Sequence, residues 1–103
     1  MSFIREITKT ATRSNGWRKI RNNHIKKQPE CQCCGAKKKL EVHHKQPFQY
    51  VPELELDPSN LITLCDGTLK CHIFIGHLGN WKSHNVDVTE DSKMLNVKIR
   101  NRP

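Results

Sequence analysis

Two cysteine pairs, Cys31-x2-Cys34 and Cys65-x5-Cys71, carry the clearest chemistry in this sequence, together with a set of histidines interleaved with them. Zinc takes four thiolates in a tetrahedron, and two short hairpin-like knuckles can present them. The second pair is wider than the usual two-residue spacing. The extra residues, Gly67 among them, can bulge outward without moving the sulfurs. Cys33 offers a competing register, since Cys33 and Cys34 are adjacent and cannot both fit easily. The glycine after Cys34 suits a tight knuckle turn and favours Cys31 with Cys34. The expectation is therefore a structural zinc held by Cys31, Cys34, Cys65 and Cys71.

Between and after these pairs lie His43, His44, Asn60, His72 and His77. A neutral imidazole can ligate a metal or accept a proton near pH 7, which makes His the usual residue for both tasks. Adjacent strand residues point to opposite faces, so His43 and His44 need a local twist or bulge to serve one centre. His77 follows His72 by five residues, an interval that rotates it by about 140° on a regular helix. Gly76 can end or deform that helix.

These residues need elements to position them. Ser14 or Asn15 can cap a helix over 14–28, with Trp17, Ile20 and Ile25 on one side and His24 beside them. Pro29 should stop it, because the residue before a proline disfavours helical geometry. Arg18, Lys19, Arg21, Lys26 and Lys27 fall on its other faces. A knuckle at 31–35 and a basic turn at Lys37-Lys38-Lys39 lead into a strand at Leu40–His44. Residues 45–59 hold Pro47, Pro52 and Pro58 and read as a long loop before a second strand at Asn60–Cys65. A short helix over Cys71–His77 follows, then a final helix over 89–100 with Thr89 as N-cap. Trp17, Phe74 and Trp81 are assigned to packing. No internal repeat or low-complexity tract is present.

The bulk properties agree with a metal-stapled domain. A chain of 103 residues that is 35% hydrophobic has a thin core for its size, and small chains of this kind draw stability from metals, disulfides or partners. The formal net charge is +8, with twelve Lys/Arg against three Asp/Glu in residues 1–45 and six against seven in the rest. A basic half of this kind suits a polyanion. Met1–Arg5 leads into no apolar signal segment, and no apolar run could cross a bilayer. A cytoplasmic protein with reduced thiols is the expectation, and an odd cysteine count fits a disulfide framework poorly.

Leu40-Glu41-Val42-His43-His44, Asn60-Leu61-Ile62-Thr63-Leu64-Cys65 and Cys71-His72 together resemble the signature of the HNH endonuclease family, flanked by its frequent cysteine pairs. The basic helix before the knuckle and the Gly76-His77-Leu78-Gly79-Asn80-Trp81 stretch are similar to small HNH proteins of tailed bacteriophages. The resemblance implies a small α+β fold with a ββα-metal (His-Me finger) core over 31–77, stapled by the four-cysteine zinc site and flanked by N- and C-terminal helices in a single domain. It implies His43 as the first ligand of a catalytic divalent ion, His44 as general base, Asn60 as the residue fixing loop and strand, and His72 as the second ligand. His77 becomes a candidate third ligand or phosphate contact. The implied activity is metal-dependent hydrolysis of DNA with Mg²⁺, Mn²⁺, Ni²⁺ or Zn²⁺, in a bacterial host's cytoplasm if phage-encoded. Arg18, Lys19, Arg21, Lys26, Lys27 and Lys37–Lys39 would grip phosphates, with weak sequence selectivity because few elements remain to read bases. Two other readings are a catalytically silent zinc-ribbon-like DNA-binding module and an accessory subunit that works with phage terminase in a DNA-packaging motor. The zinc-ribbon reading does not require His43, His44, Asn60 and His72, whereas the accessory subunit would show its nuclease activity only with its partner.

Overall fold

The computed structural model describes residues 15–47 and 50–101. The reading of Met1–Arg5 and the Ser14 cap lie outside the described residues. Helix α1 spans Trp17–Lys27, with Gly16 rather than Ser14 or Asn15 in the N-cap position and no side-chain cap. Strands β1 (Leu40–His44) and β2 (Leu61–Cys65) form an antiparallel pair. A π-helix follows at His72–Gly76, and α2 spans Val88–Arg100. Helix α2 begins with Asp87 as N-cap, so Thr89 lies inside its first turn instead of capping it.

Helix α1 ends ahead of Pro29, where the Gln28 N–H donates to the His24 carbonyl at 2.8 Å. Its inward stripe is Trp17, Ile20, Arg21, His24, Ile25 and Gln28, all half-buried, while Arg18, Lys19, Lys26 and Lys27 are exposed. Arg21 therefore does not belong with the outer basic face. It lies four residues after Trp17 on the same side, and its guanidinium donates to the Leu40 carbonyl and to Glu41. The Gln28 side chain secures the helix end to the sheet by accepting from the Thr63 N–H at 2.7 Å.

The β1–β2 register pairs Leu40 with Cys65 and His44 with Leu61, without a bulge. The connection carries 3-10 turns at Pro52–Leu54 and Pro58–Asn60. Asn60 thus closes a turn rather than opening β2. Strand β2 is buried along its whole length, and its outer edge is capped by the end of α1 and by the knuckle, whose Gln32 N–H donates to the Thr63 carbonyl at 3.0 Å.

The core is small, and much of it is sulfur. Cys31, Cys33, Cys65 and Cys71 are buried with Ile62, Leu64 and Val88, and Cys34, Ala36, Leu40, Ile75 and Leu95 pack around them. Apolar area this limited stabilises a chain weakly on its own, so whatever holds the cysteines together holds the fold. Phe74 and Trp81 are not in it. They are 60% and 59% exposed, contrary to their assignment as packing residues.

Candidate metal centres and the histidine cleft

The sulfurs of Cys31, Cys34, Cys65 and Cys71 lie within 4.8 Å of one another, and none forms a disulfide. The knuckle gains its turn from Gly35, whose φ of 82° a side chain would resist. The Gly35 N–H donates to the Cys31 carbonyl at 2.9 Å, and the Cys34 N–H points at the Cys31 sulfur at 3.5 Å. The residues between Cys65 and Cys71 loop out over Lys39, with Lys70 in a left-handed conformation, so the wider spacing costs the sulfurs nothing in position. In this crowd the Cys31 thiol is pushed up to about 12, chiefly by its hydrogen bond with Cys71 and then by burial. Burial likewise raises Cys34. A coordinated cation inverts that preference and holds such thiols as thiolates, so the donor set fits a soft, tetrahedral metal.

A second cluster, His43, His72 and His77, also brings its ring nitrogens within 4.8 Å of one another. His72 and His77 meet through the π-helix. The His77 N–H donates to the His72 carbonyl at 3.2 Å, an i→i+5 bond that brings residues five apart toward one face. The rotation expected on a regular helix does not arise. Gly76 makes the approach possible: a Cβ there would lie 3.0 to 3.1 Å from three atoms of the His43 ring.

Two of the three rings are oriented from behind, as ligand histidines usually are. His77 donates from Nδ1 to the Ser83 carbonyl at 2.9 Å, and His72 Nδ1 meets the Asp66 carboxylate at 3.2 Å. Both leave Nε2 for the cluster. His43 Nε2 is buried with no hydrogen-bond partner. Burial, reinforced by His72, His77, His84 and His44, pushes the His43 pKa down to about 2, so the ring is neutral. A buried neutral nitrogen lacking a partner is costly, and a cation shared with the other two rings would satisfy it. The residues fit a divalent ion.

His44 reaches the same cleft without a bulge. The two neighbouring side chains line one cavity of about 300 Å³ together with Trp17, Arg21, His72, His77, Trp81 and His84. His44 is buried, and its Nε2 donates to the Glu55 carbonyl at 3.0 Å, which in the neutral ring leaves the lone pair on Nδ1. Trp17 stacks on the ring with centroids 4.7 Å apart. Asn60 holds the loop that supplies Glu55: its Oδ1 accepts from the Gln46 N–H, and its Nδ2 donates to the Gln46 and Leu54 carbonyls.

Sequence reasoning misses several members of this arrangement, among them Asp66, His84 and Trp17. In the sequence Asp66 reads only as part of a bulge. His84, whose ring lies 4.7 Å from that of His77, belongs to no spacing pattern. Trp17 reads as packing without its target. The one available signal is the histidine count: five of the six histidines line this cleft. Lys38 and Lys39, by contrast, border a groove beside Cys34 and Cys65 rather than the cleft.

An antiparallel strand pair, a long connection and a helix bearing two histidines, closed around a histidine cluster beside a cysteine cluster, define a small α+β protein of the ββα-metal class. Residues 31–74 match the family model described as HNH, HNH endonuclease. That match implies nuclease chemistry with a divalent metal and DNA as the substrate class. Neither a comparison with curated proteins nor one with solved structures returned a match. Among the described residues no helix is long and apolar enough to cross a membrane.

Proposed function

We propose that this chain is a single-domain, metal-dependent DNA endonuclease. The observation that carries the reading is the convergence of His43, His72 and His77 on a cleft that His44 also lines. His43, His72 and His77 would hold the catalytic ion, which supplies positive charge at the scissile phosphate and the departing oxygen. His44 accepts the proton of the attacking water at Nδ1. The Glu55 carbonyl fixes its tautomer, Trp17 fixes its ring plane, and Asn60 keeps Glu55 in reach. Cys31, Cys34, Cys65 and Cys71 would hold a structural zinc.

The exposed Arg18, Lys19, Lys26, Lys27 and Lys37–Lys39 contact phosphates, whereas Arg21, tied to Glu41 inside the cleft, acts near the scissile group. A silent zinc-ribbon module would need the cysteines and the charge but not five histidines around one cavity. The similarity to small phage proteins supports a cytoplasmic role in a bacterial host, with DNA-packaging proteins as candidate partners.

Supercoiled plasmid incubated with Mg²⁺, Mn²⁺, Ni²⁺ or Zn²⁺ tests the reading. Conversion to nicked or linear DNA with at least one ion, abolished by a chelator, is expected. Intact plasmid with every ion would contradict it.

A further inference from the structure

Trp81 has no task in that mechanism, yet it is 59% exposed and borders the cleft. Its ring centroid lies 5.2 Å from that of His72 and 4.9 Å from that of His77. Single exposed apolar residues are common on any surface, but this one sits on a loop held on both sides of it by hydrogen bonds. The Gly79 N–H donates to the Ile73 carbonyl at 2.8 Å and the Asn80 N–H to the His77 carbonyl at 3.0 Å. The Ser83 N–H donates to the Asn80 carbonyl, the Lys82 N–H to Asn80 Oδ1, and His77 to the Ser83 carbonyl. Leu78 and Gly79 both hold positive φ at the turn before it. A large flat side chain presented from so constrained a loop loses little freedom when something stacks on it.

We propose that Trp81 is a stacking platform for the nucleobase beside the scissile phosphate, and that the protein prefers DNA in which that base is unpaired. The inference rests on the histidine cleft being the DNA-cutting site. An indole whose centroid lies about 5 Å from the rings of two candidate ligands is within reach of a base adjoining a phosphate held there. Inside a duplex both faces of that base are covered by its neighbours. It can use Trp81 only by leaving the stack, which costs least where the strand is already single. Base–aromatic stacking is tolerant of sequence, in keeping with a domain that has few elements to read base edges.

The test uses full-length protein carrying His44→Ala, loaded with Ni²⁺, and a fluorescent oligonucleotide of mixed sequence offered single-stranded or as its duplex. Trp81→Leu should weaken single-strand binding by roughly fivefold or more and duplex binding by less than about twofold, while Trp81→Phe keeps most of the affinity. Tryptophan emission should be quenched by the single strand, and that quenching should fall in Trp81→Phe to what Trp17, which also lines the cleft, contributes, a readout that does not depend on the leucine variant folding. Equal losses on both forms, unchanged affinity, or loss of Ni²⁺ binding by Trp81→Leu would overturn the proposal, the last by making the indole a shield for the histidines. If the parent protein binds neither form, the DNA reading itself falls. If it binds both and Trp81 is indifferent, only the stacking inference falls.

Discussion

Gly76 faces the imidazole of His43 with less room than a methyl group needs: a Cβ there would lie 3.0 to 3.1 Å from three ring atoms. This contact allows the π-helix to bring His72 and His77 up to the strand histidine. Gly76→Ala should push the His43 ring out of line without disturbing the cysteines. Isothermal titration with Ni²⁺ should show the histidine site weakened roughly 10- to 100-fold, the range seen when residues that support ligands are altered. The zinc content of the purified variant should be unchanged.

The cysteines divide by role despite similar burial. Cys31→Ala should leave the chain unfolded or aggregating, because structural zinc contributes on the order of 10 kcal/mol to such domains. Cys33 is fully buried, but its sulfur is outside the four-sulfur cluster. Cys33→Ala should therefore stay folded with one zinc per chain and lose about 1–2 kcal/mol in a urea titration. Elemental analysis beside circular dichroism checks both.

The parts of this molecule legible in sequence are those set by local spacing. The cysteine pairs, the His-His strand and the proline-stopped helix depend on neighbours a few residues away, and β1, β2 and α1 lie within a residue or so of where periodicity puts them apart from the helix start. What escapes depends on the third dimension. The regular helix expected for His72 and His77 gives way to a π-helix, whose five-residue hydrogen bonding brings both rings toward one centre. Arg21 looks in sequence like one more outward cation, but its place four residues after Trp17 turns it toward Glu41. Asp66 and His84 act across turns whose path no periodicity encodes.

His24 gives the fold a mild acid sensitivity. Burial of its ring holds its pKa below the ordinary value, against a hydrogen bond to Gln28 that raises it. Above about pH 6.5 the ring is neutral in folded and unfolded chains alike, so stability is undiminished. Below that value the unfolded chain takes up the proton more readily, and stability falls. Denaturant midpoints at pH 7.5 and 5.5 should drop less for His24→Leu than for the wild type. Equal drops would assign the sensitivity to other groups.

Arg18 and Lys26 are exposed on α1, away from its inward stripe. If both reach phosphates, replacing them with alanine should weaken binding to all DNA sequences alike. Each lost contact should flatten the plot of log affinity against log salt by about 0.9. Identical lines for wild type and double variant would make this face merely solvating.

His44, held by Trp17 and the Glu55 carbonyl, is on this reading the base of a metal-dependent nuclease, and the rest of the proposed mechanism depends on it. Single-turnover cleavage of a labelled DNA by wild type and His44→Ala, at saturating protein and metal, measures that role most directly. The expected rate is lower by at least about 100-fold in the variant, with DNA affinity and metal content retained. Cleavage by His44→Ala at the wild-type rate would contradict it.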